Sequence, residues 1–164
     1  MKKLLLSAAC YCLHFLGSAQ GLSQKIAPDD SHYISQAAMS SAYGRAQRHF
    51  KSTYPGISDA QWSTVSGGGF VCQSEQPEMV TRAHYDRRGN WICTVSGYES
   101  SILPEGVKET VRHCFEGYRV TFVNQVTSKA VIPVYFINLE GWSDIKVIRI
   151  IGDEIEVIRA MEKK

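Results

Sequence analysis

The apolar pattern of this chain changes period twice, in the same order each time: a helical stripe, then alternating runs joined by short turns. In the first stretch Asp29, Asp30 and Ser31 are helix-capping residue types, and Ile34, Ala37, Ala38, Ser41, Ala42, Arg45, Ala46, His49 and Phe50 recur at helical spacing until Tyr54-Pro55-Gly56 stops them. Runs 58–65 and 70–75 then flank Ser66-Gly67-Gly68-Gly69, and runs 80–85 and 91–98 flank Asp86-Arg87-Arg88-Gly89-Asn90, both hairpin chemistry. In the second stretch Pro104 suits a first helical turn, Val107, Val111, Cys114 and Phe115 share one helical face, and Gly117 supplies the stop. Runs 119–127, 131–138, 142–151 and 154–160 follow, with turns at Ser128-Lys129, Glu140-Gly141 and Gly152-Asp153. Turns this short cannot carry parallel crossovers, so the predicted class is α+β. The expected architecture is two tandem repeats of one helix plus a four-stranded antiparallel sheet, with the helices on one sheet face.

Residue matches at an offset of 64 support the repeat: Arg48-His49 with Arg112-His113, Tyr54 with Tyr118, and Phe50 with Cys114. The expected divisions are 1–19, a secretory leader; 20–39, a segment leading into the first helix; 40–100, the first repeat; and 101–164, the second. The leader rests on Lys2 and Lys3, an apolar stretch from Leu4 to Leu16, and Gly17-Ser18-Ala19, which predicts cleavage after Ala19. That stretch is too short for a membrane span, which needs about 20 residues, and no later segment is more apolar. A periplasmic or secreted domain is therefore expected. A lipoprotein acylated at Cys10 or Cys12 is the alternative, although Ser7-Ala8-Ala9 lacks the usual leucine.

Removing residues 1–19 from 164 leaves 145, enough for one domain with a real core, and leaves 16 basic against 16 acidic residues. A net charge near zero gives no electrostatic footprint for nucleic acid or for an anionic membrane surface. Three cysteines remain: Cys72, Cys93 and Cys114. They read as small buried hydrophobes, with one disulfide involving Cys114 as the alternative. Cys72 and Cys93 fall on strands two places apart, about 10 Å, and should not pair with each other.

Alternation assigns faces. Phe70, Cys72, Ala83, Tyr85, Trp91, Cys93 and Val95 would meet the first helix, and Gln73, Glu75, Arg82, His84, Thr94, Ser96 and Tyr98 would line the opposite side. The run from Ile145 to Ile151 is apolar on both faces, which suits a doubly covered central strand or a contact surface. Trp62, Trp91 and Trp142 read as core.

Tyr54-Pro55-Gly56, Trp62, the glycine turn into Phe70, Tyr85-Asp86-Arg87-Arg88-Gly89-Asn90-Trp91 and Leu103-Pro104 together resemble the PepSY-like, β-lactamase-inhibitor-like exported proteins of Bacteroidetes-type bacteria. The resemblance covers roughly residues 40–160. It implies a periplasmic or secreted binding protein whose two helix plus four-strand repeats join their sheets into a curved surface. No residue here matches the inserted loop of the inhibitor proper, so inhibition of a β-lactamase does not carry over.

Catalytic signatures are missing. No G-x-S-x-G turn is present, Gly67-Gly68-Gly69 opens a strand rather than a helix, and no H-x-x-x-H or C-x-x-C offers a metal site. His49 and His113 occupy equivalent repeat positions and read, with His84, as solvated or hydrogen-bonded imidazoles. Glu75 and Glu78 flank Pro77 in a turn and read as solvated charges. No catalytic residue, metal or cofactor is expected. The expected role is binding a protein or peptide of the cell envelope through an open sheet face carrying Arg82, His84, Tyr98, Arg119 and Tyr135, a mixture typical of interface centres. The competing readings are a small envelope hydrolase, which needs His84 or His113 beside a nucleophile, and a structural envelope protein without a specific ligand.

Overall fold

The computed structural model describes residues 36–130 and 132–163. The expected leader, Cys10, Cys12, the capping residues Asp29, Asp30 and Ser31, Ile34, and Val131 lie outside the described residues. The elements run α1 (Gln36–Thr53), β1 (Gln61–Thr64), β2 (Phe70–Gln76), β3 (Met79–Tyr85), β4 (Trp91–Tyr98), a 3-10 turn (Ser100–Ile102), α2 (Glu105–Cys114), β5 (Arg119–Ser128), β6 (Val134–Glu140), β7 (Asp144–Ile151) and β8 (Glu154–Glu162). The predicted order of helix, four strands, helix, four strands is the observed one. The two separate four-stranded sheets are not. All eight strands lie in one antiparallel sheet in chain order, so the ladder continues from the fourth strand to the fifth. None of the described helices is long and apolar enough to cross a membrane.

The chain divides into two compact units, which share β2, β3 and β4 between them. In the first unit, Ala42, Ala46 and Phe50 recur every four residues on α1 and meet Phe70, Cys72, Ala83 and Tyr85 of the sheet. The two alanines let the helix backbone come close, and aromatic rings fill the margins. Trp62 stands edge-on to Tyr43 at 5.3 Å and to Phe50 at 5.8 Å. Trp62 and Trp91 thus belong to the core, as expected. Cys93 and Val95 are buried but are not members of this cluster.

The second unit packs Leu103 and Val111 over Val123 of β5, Tyr135, Ile137 and Leu139 of β6, and Ile148 and Ile150 of β7. Register explains the row. Ile137 lies opposite both Val123 and Ile148, so the three side chains leave the sheet on one side. Burying such aliphatic side chains stabilises the fold by about 1.5–3 kcal/mol each. β7 is paired on both edges, but it is not buried on both faces as expected: of its apolar run only Ile148 and Ile150 are buried, while Ile145, Val147 and Ile151 are half-buried. β8 is the outer strand, where a bulge opposite Val147/Ile148 and the charged Glu154, Glu156, Arg159 and Glu162 discourage further strand pairing.

Candidate functional site

Five residues were expected to share one open face, and the structure does not bring them together. Tyr98 is 3 % exposed and Tyr135 8 % exposed, both inside the core cluster of the second unit. The Tyr98 hydroxyl donates to Gln125 Oε1 at 2.7 Å, and burial pushes its pKa up to about 12. The reason is geometric. The chain turns sharply after β4 into the 3-10 turn and α2, and that helix covers the side of the sheet that Tyr98 takes. Tyr135 follows because it alternates in step with Ile137 and Leu139. Arg82 and His84 lie on β3, half-buried, alternating with the buried Thr81, Ala83 and Tyr85, and neither is without partners. Arg119 is exposed and ion-paired to Glu140.

The histidines of the two helices are not equivalent. His49 Nδ1 lies 3.1 Å from the Tyr85 hydroxyl, and its ring stacks on Trp91 at 5.6 Å. His113 is exposed on α2, in a surface depression with Glu109, Arg112 and Glu116. Cys72 is buried and free, and burial raises its thiol to about 12, which leaves it a poor nucleophile. Cys114 is also free but exposed, so it is neither a core residue nor a disulfide partner. Among the described residues, no three His, Cys, Asp or Glu converge on a possible metal position.

The feature that sequence reasoning missed is the turn between β6 and β7. Trp142 was expected in the core, yet it is 98 % exposed at the apex of Gly141-Trp142-Ser143. The strand begins at Asp144, two residues later than predicted, so the alternation never reaches the indole. A signal was present: Gly141, Ser143 and Asp144 are all turn-forming types, which centres the turn on Trp142.

Below the apex, the hairpin is held from three directions. Gly141 N–H donates to the Asp144 carbonyl at 2.9 Å, closing the turn. From the residue just before β5, the Tyr118 hydroxyl donates to Asp144 Oδ1 at 2.7 Å. Lys146 Nζ donates to both Asp144 and Tyr118 and lies 4.2 Å from the Tyr118 ring centre. From the end of β8, Lys163 N–H donates to the Ser143 carbonyl at 2.8 Å, while its Nζ donates to the Gly141 carbonyl and to Glu140 Oε1, each at 2.8 Å. A Cβ at position 141 would stand 2.7 Å from the Tyr118 ring and 2.8 Å from Asp144 Oδ1, so any other residue there would displace these two bracing side chains.

These contacts set the local electrostatics. Hydrogen bonds from Lys146, then from Tyr118, hold the Asp144 carboxyl below the usual range, and the bond to Asp144 raises Lys146. Bonds from Lys163 and Arg119 lower Glu140 in the same way. The result is a braced hairpin presenting one unpacked indole, with Arg119, Glu140 and Lys163 at its base. It offers no acid–base pair or nucleophile aimed at a shared point. What it can do is insert an aromatic ring into a complementary cavity.

No family model and no curated protein matches this chain. Solved structures do match it in fold. A BLIP-like protein from Bacteroides fragilis NCTC 9343 aligns over 73 % of this chain and 84 % of its own at a TM-score of 0.57 and 15 % identity. A DUF2874 family protein from Bacteroides ovatus ATCC 8483 aligns over 73 % and 86 % at 0.56 and 16 % identity. A proposed periplasmic protein from Bacteroides eggerthii DSM 20697 aligns over 72 % and 86 % at 0.55 and 19 % identity. At these identities the likeness is one of fold.

Proposed function

We propose that this chain is an exported, non-enzymatic protein-binding module of the PepSY-like, β-lactamase-inhibitor-like type, and that its β6–β7 hairpin docks into a partner protein of the cell envelope through Trp142. The observation that carries the reading is a fully exposed tryptophan on a hairpin braced by Tyr118, just before β5, and Lys163, just after β8. Leaving an indole in water forgoes roughly 2–3 kcal/mol of burial. The brace means that little ordering remains to be done on binding. Tryptophan and arginine are the residues on which binding energy most often concentrates, and Arg119 stands at the rim through its bond to Glu140.

Export is supported by the leader-like residues 1–19 and by the proposed periplasmic location of a structural neighbour. The likeness to a BLIP-like protein favours protein binding without naming a partner. Arg82 and His84 remain a secondary contact row on β3.

The test is affinity capture from an envelope extract with the processed chain, repeated with Trp142→Ala and Arg119→Ala. Saturable capture of one protein, weakened at least tenfold by Trp142→Ala, is the expected result. Undiminished capture by that variant would remove the hairpin from the interface. No saturable partner under any growth condition would leave the ligand-free structural reading in its place.

A further inference from the structure

The described residues carry 14 cations and 14 acids, a balance that hides a segregation. The described residues of the first unit carry five cations, Arg45, Arg48, Lys51, Arg87 and Arg88, against two acids, Asp59 and Asp86, a net charge of +3. Those of the second unit carry nine cations against twelve acids, a net charge of −3. All six ion pairs among the described residues lie in the second unit. The five cations of the first are all exposed and in none of them.

Their placement makes a single patch. Gly89, at φ +78°, packs so tightly on the Ala42 carbonyl that no Cβ would fit, which seats the Arg87-Arg88 turn beside α1. Arg45 lies one helical turn beyond Ala42. The Arg48 guanidinium folds back to within 3.5 Å of where a Gly44 Cβ would stand. Arg45, Arg48 and Lys51 follow one another at a rise of about 4.5 Å, so each acts with its neighbour within one Debye length of about 8 Å, while charges at opposite ends of the row are screened from each other. Asp86 offsets only one of them, its carboxylate accepting the Arg88 and Asn90 backbone N–H groups at 2.8 Å inside the turn. Asp59 lies before β1, bonded by Ser58.

The remaining exposed residues of α1 are small or hydroxylated: Ala37, Ala38, Ser40, Ser41, Ser52 and Thr53. A specific protein interface has an apolar, aromatic centre, and this surface has none. A guanidinium-rich surface without apolar anchors instead suits a dense array of phosphates. We propose that the outer face of α1 and the β3–β4 turn form a peripheral docking surface for an anionic phospholipid headgroup layer. It uses no residue of the Trp142 hairpin and does not depend on the partner proposed for that hairpin.

Co-sedimentation of the full chain, processed as exported, with phosphatidylcholine vesicles lacking or containing phosphatidylglycerol, at low and high salt, tests the proposal. The expected result is binding only to phosphatidylglycerol vesicles, released by salt. Arg45→Gln with Arg48→Gln, and Arg87→Gln with Arg88→Gln, should each weaken it, by roughly fivefold per arginine removed. Arg159→Gln in the second unit should leave it unchanged. All these side chains are exposed, so circular dichroism should be the same for every variant. Equal binding to both vesicle types, no binding, or insensitivity to the four substitutions overturns the proposal. So does retention on immobilised heparin without vesicle binding, which would assign the patch to a soluble polyanion.

Discussion

Three tryptophans show how far one residue type underdetermines its own place. Trp62 and Trp91 fall within alternating runs and pack against α1, whereas Trp142 falls between turn formers and meets solvent. Stability should separate buried from exposed aromatics. Tyr98→Ala is expected to lower unfolding free energy by about 3–5 kcal/mol, and Trp142→Ala to change it by no more than about 0.5 kcal/mol, both read by urea denaturation. A large loss from Trp142→Ala would mean the indole is packed after all. Gly89→Ala combines a left-handed backbone with a clash against the Ala42 carbonyl. It should destabilise by about 2–4 kcal/mol, and an Ala variant as stable as the parent would refute the close approach.

At the scale of elements, the β6–β7 hairpin depends on charged hydrogen bonds, and so on pH. Asp144 and Glu140 both have folded-state pKa values below their ordinary ones. Their contribution is therefore present above the unfolded carboxylate range of about 4 and is lost as pH falls through the depressed values. Lys146 is raised, so its contribution holds through neutral pH and is lost only as alkali reaches its folded value. Thermal unfolding followed from neutral pH downwards should show a loss of stability that Asp144→Asn flattens. An acid profile identical in the variant would show that Asp144 does not hold the turn. Most elements were legible beforehand. β4 was expected at 91–98 and runs Trp91–Tyr98, while β1, expected at 58–65, is only Gln61–Thr64. The long runs survive because alternation is a local property, and ends drift because they are set by what the neighbouring strand offers for hydrogen bonding.

For the molecule as a whole, burial should govern thiol chemistry. Cys114 is exposed and Cys72 is shut in the core of the first unit with its thiol raised to about 12. A thiol reagent should modify Cys114 in the native protein and Cys72 only as the fold opens, at a rate that follows denaturant. Peptide mass spectrometry showing prompt native labelling of Cys72 would contradict the packing of α1 over β2. Composition and periodicity alone determined the α+β class, the order of helices and strands, the antiparallel pairing and the first-unit core partners Phe70, Cys72, Ala83 and Tyr85, because each follows from local spacing. Only the tertiary structure decided that the eight strands form one sheet, that Tyr98 and Tyr135 lie beneath α2, that Trp142 stands in water, and that five exposed cations gather on one unit. Alternation says that two faces differ. Which of them a helix returns to cover, and which charges then become neighbours, depends on contacts between residues far apart in the chain.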